Sequence, residues 1–179
     1  NGMKSILPKW RDFLLVEDLS AHIVDDHITL YHYSRTDEET LTLDPKRFLD
    51  HNSYSRNDFN SSSLPRVFFY VDVNEAEAMV KQGATLYSTR VPASEIYDLY
   101  VDELSLKQKA MRYPGIPVSV DFNWILRSLA REIPDHWTVK NILPEESPPY
   151  HGAYYELRSM NVVVWFKPIK VQRVPEEEA

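Results

Sequence analysis

The chain has no cysteine and only 4 glycines in 179 residues, and both shortages narrow its chemistry. Without thiols there is no disulfide framework, no thiolate nucleophile and no Cys-zinc site. Neither a Gly-x4-Gly-Lys-Ser/Thr phosphate loop nor a Gly-x-Gly-x2-Gly dinucleotide fingerprint is present. The 6 histidines (His22, His27, His32, His51, His136 and His151) show neither His-x3-His nor His-Glu-x2-His spacing, so the zinc-hydrolase pattern is missing too. The carboxylate pairs Asp25-Asp26 and Asp102-Glu103 have no companion motif and read as loop or helix charges. No apolar run reaches the length of a membrane span, and no signal-peptide core is visible. Lys and Arg never form a block, and the net charge is −7. That balance argues against a duplex nucleic-acid surface, because such affinity comes from neutralising phosphates. The lack of cysteine fits a reducing cytosol, so the expected location is cytoplasmic, in a bacterial or host cell.

What is present supports one packed domain. Hydrophobic residues make up 43% of the chain and aromatics 12%, enough for a real core and too many for a disordered chain. Asn1-Gly2 ahead of Met3 reads as an expression-tag remnant. Residues 8–20 place Trp10, Phe13, Leu14 and Val16 near helical spacing, which predicts an amphipathic helix. Strands are predicted over 30–34, 67–72, 85–91, 152–156 and 162–166, with a further one over 169–174. The pair 152–156 and 162–166 reads as a hairpin. Asp44-Pro45 opens a helical turn, and Asn74 caps a helix that Gly83 ends. A short helix is expected over 104–111. Asp121 caps the clearest one, whose stripe is Trp124, Ile125, Leu129 and Ile133. Residues 51–64 are rich in Ser and Asn and read as a loop, as does the acidic segment 144–149.

Three of these stretches carry chemistry. Leu30-Tyr31-His32-Tyr33-Ser34 delivers one histidine on a short strand, just before the polar run Arg35-Thr36-Asp37-Glu38-Glu39. Arg66-Val67-Phe68-Phe69-Tyr70-Val71-Asp72 is an aromatic strand, and Asn161-Val162-Val163-Val164-Trp165-Phe166-Lys167-Pro168 is an apolar strand closed by a turn. A lone histidine beside aromatics is more often a packed structural residue than a catalytic one, so His32 by itself decides little. The order of the three stretches resembles the ADP-ribosyltransferase fold, in the branch of diphtheria-like toxins, poly-ADP-ribose polymerases and small phage or polyvalent-protein transferases. That branch has Leu-aromatic-His-Gly-Ser/Thr, then Gly-aromatic-aromatic-Phe-Thr/Ala, then a late glutamate ahead of an apolar run.

The resemblance covers residues 28–174, leaving 1–27 as the N-terminal helical segment and 175–179 as an acidic tail. It implies an α+β domain with two small, mostly antiparallel sheets around a cleft and helices on the flanks. It also implies NAD as substrate, cleaved at its nicotinamide–ribose bond through a positively charged transition state. His32 would anchor a ribose hydroxyl, with Tyr33 and Ser34 beside it. Phe68, Phe69 and Tyr70 would pack near the nicotinamide, and Tyr54 and Arg56 on the 51–64 loop would meet adenine or pyrophosphate. The late anion is where this chain departs from the family. Asn161 stands at the glutamate position and carries no charge to offset a cation. Glu156, five residues earlier, is the nearby carboxylate, expected either as its replacement or as a solvated strand-face charge. Tyr33 replaces the family glycine, whose backbone bonds the nicotinamide amide.

The expected activity is therefore NAD-dependent ADP-ribosyl transfer to a protein or nucleic acid. The alternative is a catalytically inactive binding module of the same fold, or a phage structural or accessory protein. The acidic segment 144–149, with Glu145 and Glu146, favours a basic protein partner over a nucleic-acid backbone.

Overall fold

The computed structural model describes residues 19–47, 66–80, 83–111, 122–130, 150–157 and 160–175. The helix expected over 8–20 lies outside them, except that Leu19 and Ser20 belong to a 3-10 turn, Leu19–His22. Among the described residues nine strands follow in chain order: β1 (Ile23–Val24), β2 (His27–Ser34), β3 (Thr40–Leu43), β4 (Val67–Tyr70), β5 (Thr85–Pro92), β6 (Ile96–Asp98), β7 (Gly152–Leu157), β8 (Met160–Trp165) and β9 (Ile169–Arg173). The α-helices are α1 (Val73–Val80), α2 (Leu106–Met111) and α3 (Phe122–Ala130). Every strand pairing is antiparallel except that of β6 with β7. The α+β class expected from the sequence is what the chain forms.

The expected pair of separate sheets is corrected to one open sheet, ordered β3-β9-β5-β2-β4-β8-β7-β6 with β1 beside β2. Its two halves meet at a single residue pair, Tyr31 with Tyr70. The cause is how the strands spend their bonds. All eight residues of β2 are in register with β5, from His27 opposite Pro92 to Ser34 opposite Thr85. All four residues of β4 are in register with β8. Beyond Tyr31 and Tyr70 the two central strands part, so a seam runs through the middle of the sheet.

Side-chain alternation then builds two cores. On one face, Ile28 and Leu30 of β2, Val67 and Phe69 of β4, Val163 and Trp165 of β8 and Tyr154 of β7 join one cluster. That cluster also takes Leu43, Ile169 and Val171 from one end of the sheet and Ile96 from the other, so the sheet curls around it. On the opposite face, Val162 and Val164 of β8 and Ala153 and Tyr155 of β7 pack with Leu106 of α2 and Ile125, Leu126 and Leu129 of α3. The stripe expected on α3 is core at Ile125 and Leu129.

Local signals explain the element ends. The β1–β2 hairpin turns through Asp25 and Asp26, both with positive φ (51° and 62°), a conformation that aspartate tolerates. α1 starts two residues earlier than an Asn74 cap would have it. Asp72 is the cap, its Oδ1 accepting from the Asn74 N–H at 2.8 Å. Gly83, at φ 83°, turns the chain after α1. Asp44 accepts from the Lys46 N–H at 3.1 Å as the chain turns helical at Pro45. Asp102, read above as a loop or helix charge, caps α2 by accepting from the Leu106 and Lys107 N–H groups at 2.9 and 3.0 Å. No helix among the described residues is long and apolar enough to cross a membrane.

Candidate functional site

His32 sits at the seam. By alternation it shares a face with Ile28 and Leu30, and its ring meets Phe69 at 5.5 Å between centroids. Its Nδ1 lies 2.9 Å from the Phe68 carbonyl oxygen. A carbonyl only accepts, so Nδ1 carries the proton and Nε2 is the ring's acceptor. His32 is 9% exposed. Burial pushes its pKa below the usual histidine value, and the bond to Phe68 opposes that only in part. The imidazole is therefore neutral at physiological pH, and it ties β2 to β4 where their backbones part.

Asn161 and Glu156 lie on the same face of the sheet, in its other half. The hairpin places them directly opposite each other, Glu156 on β7 paired with Asn161 on β8. Directly opposed residues have Cβ atoms about 5 Å apart, so the two side chains stand side by side. A third residue completes this corner. The Tyr100 hydroxyl donates to Asn161 Oδ1 at 2.6 Å. Tyr100 is fixed from behind, with its ring edge-on to Tyr154 at 5.3 Å and its N–H donating to Asp98 Oδ1 at 2.8 Å. Asp98 also accepts from the Val101 N–H at 3.2 Å and, through Oδ2, from the Leu19 N–H at 2.8 Å. Burial, then the charges of Glu156, Asp98 and Glu75, push the Tyr100 hydroxyl up to about 12. Three carboxylates thus act on one phenol, and the corner is electronegative.

The residues expected to surround NAD are divided by the sheet. His32, Phe69, Asn161 and Glu156 share one face. Tyr33, Phe68 and Tyr70 occupy the other, where Tyr33 meets Tyr70 edge-on at 6.4 Å and Phe68 packs against the helix-covered core. Neighbours along a strand cannot share a face, so His32 and Tyr33 cannot line one cleft, nor can Phe68 and Phe69. The Phe68 ring instead takes the Arg66 guanidinium over its face at 5.3 Å. Ser34 ends β2, bonded to Thr36 Oγ1 at 2.7 Å. Tyr54, Arg56, Glu145 and Glu146 lie outside the described residues.

Register sets the distance between the two occupied positions. His32 lies beside Phe69, which is opposite Val163, and Asn161 is two residues further along β8. Two strand spacings and two residue rises put their backbones on the order of 12 Å apart. A dinucleotide spans that distance, but one ribose held by both side chains does not.

Sequence reading missed Tyr100 and Asp98. Asp98-Leu99-Tyr100 carries the signal of an aspartate turn, but the partner of Tyr100 is 61 residues away and only strand register reveals it. The corner suits a group carrying positive charge, whereas an anionic group would need donors from elsewhere. Among the described residues no group of three or more His, Asp or Glu could hold a metal. No family model, curated protein or solved structure matches the chain.

Proposed function

We propose that this domain binds NAD⁺ and cleaves its nicotinamide–ribose bond as an ADP-ribosyltransferase-like enzyme, passing the ADP-ribosyl group to a protein or nucleic acid. One observation supports the reading: Glu156 faces Asn161 across the β7–β8 hairpin, so a carboxylate stands beside the residue that the resemblance aligns with the family glutamate. As the bond to nicotinamide breaks, positive charge grows on the ribose, and the exposed Glu156 carboxylate would lower that barrier more than it stabilises the ground state. Asn161 and Tyr100 orient the sugar but supply no charge. His32 would meet the ligand where the seam opens, through Nε2.

The test is nicotinamide release, followed by chromatography on the wild-type chain and on Glu156→Gln. Release is expected from the wild type and to fall by about a hundredfold in the variant, the size of effect typical of a lost transition-state electrostatic contact. Undiminished release from Glu156→Gln would remove Glu156 from the chemistry.

A second reading, a binding module that keeps the fold without turnover, is favoured by the burial of His32 and its bond to Phe68. It predicts NAD⁺ binding by calorimetry with no nicotinamide released from any variant.

A further inference from the structure

An asparagine amide has two ends, an acceptor Oδ1 and a donor Nδ2, and a ligand meets only the end turned towards it. Two neighbours of Asn161 agree on the orientation. Tyr100 offers a hydroxyl proton to Oδ1 at 2.6 Å. Glu156, directly opposite, accepts hydrogen bonds and donates none when ionised, so it favours Nδ2 on its own side. Tyr100 is itself immobilised, by the Asp98 carboxylate on its N–H and by the Tyr154 ring. Burial and the three surrounding carboxylates keep its phenol protonated and therefore able to donate.

We propose that Tyr100 is a positioning residue: it locks the Asn161 amide so that the Nδ2 protons are presented beside the Glu156 carboxylate, and the corner selects a ligand oxygen that accepts a hydrogen bond. The ligand's identity as NAD⁺ rests on the function proposed above, whereas the lock rests on the Tyr100–Asn161–Glu156 geometry alone. Without the hydroxyl only Glu156 still biases the amide, and its acceptor end is offered more often. The site then keeps its charge but loses its orientation.

The experiment uses the full chain with ¹⁵N-labelled asparagine, the Asn161 side-chain signal being identified by its loss in Asn161→Ala. Tyr100→Phe keeps the ring on Tyr154 and removes only the hydroxyl. It is expected to speed solvent exchange of the Asn161 Nδ2 protons by about tenfold. Should that variant fold poorly, 3-fluorotyrosine in place of Tyr100 keeps the shape, strengthens the donor and is expected to slow the same exchange. Unchanged exchange in the folded proteins overturns the lock. For binding, Tyr100→Phe is expected to weaken NAD⁺ about fivefold, and the double variant with Asn161→Ala to bind no more weakly than Asn161→Ala alone. Additive losses would mean that Tyr100 acts independently of Asn161, and the proposal falls. A wild-type chain that ignores NAD⁺ while its amide signal responds to Tyr100→Phe keeps the lock and removes the proposed function.

Discussion

Replacing His32 with alanine removes two things at the seam, the Nδ1 donor to the Phe68 carbonyl and the ring against Phe69. A part-buried carbonyl left without its partner costs about 1–1.5 kcal/mol. The space left by the ring adds about 2 kcal/mol, the low end for a large-to-small change in a core. His32→Asn separates the two, because its Nδ2 can take the place of Nδ1 and restore the donor while the ring is still lost. Both variants should be destabilised in urea, with His32→Ala worse by about 1–1.5 kcal/mol. At a slope near 2 kcal/mol per molar, that is a midpoint difference of about 0.5–0.75 M.

The pH dependence gives an independent check. Burial lowers the folded pKa of His32 below that of the unfolded chain, so between the two values the unfolded state binds more protons. The stability tied to the neutral ring is present above the unfolded value of about 6.5 and is lost as pH falls through the folded one. His32→Asn lacks this component, so its deficit against the wild type should shrink between about pH 7.5 and about pH 5.5. Equal urea midpoints for the Ala and Asn variants, or a wild-type advantage that does not change with pH, would refute the account of His32 as the tie across the seam.

Further outcomes follow from single contacts. A Cβ added at Gly152 would lie 2.7 Å from the Val164 carbonyl oxygen and 2.8 Å from the Trp165 ring, so Gly152→Ala should cost about 1–3 kcal/mol by urea unfolding. Asp102→Ala removes the acceptor of the Tyr97 hydroxyl and uncaps α2, with an expected loss of about 2 kcal/mol, while Glu103→Ala next to it should change stability by less than about 0.5 kcal/mol. Tyr87→Phe removes a hydroxyl that donates to the Thr36 carbonyl and accepts from the Glu38 N–H, so about 1–2 kcal/mol should be lost. Moving the anion across the hairpin, with Asn161→Glu added to Glu156→Gln, should raise nicotinamide release by about tenfold over Glu156→Gln alone. No recovery would separate Asn161 from the charge-bearing position.

The sequence showed most of the strands because alternation is visible wherever one face is buried. Residues 169–173 alternate in this way and form β9, while residues 40–43, Thr-Leu-Thr-Leu, look like loop because two exposed threonines stand beside a charged run. Their strand character comes from pairing with β9 and from the Arg173 guanidinium bridging Asp37 and Glu39, contacts more than a hundred residues apart in the chain. The two-face division of the aromatic strand was already legible, since consecutive residues of one strand always point apart. The link between Glu156 and Asn161 was hidden by the hairpin's length. With strands ending at 156 and starting at 162, the two residues flank a long turn. With Leu157 paired to Met160, they stand opposite each other.

That register bears on which reading of the site survives. An arrangement inherited intact from the resembling family would gather histidine, aromatic and anion around one ribose. Here the anion and the histidine share a face but stand on opposite halves of the sheet, with β4 between them. Besides the core they share and the ring contacts of His32 and Tyr33, the halves are joined along the seam by one residue pair and by the bond from His32 to Phe68. A ligand that draws His32 Nε2 towards Glu156 must therefore work against the seam, and its binding energy is reduced by whatever parting β2 from β4 costs. Weakening the seam without touching Glu156 or Asn161 should then tighten ligand binding even as it lowers stability. Tyr31→Ala is the variant that does so, since it thins the one position at which β2 and β4 pair among the described residues. Calorimetric titration with NAD⁺ should show tighter binding than the wild type, alongside a lower urea midpoint. Weaker binding and lower stability together would mean that the closed seam is itself the form that recognises the ligand.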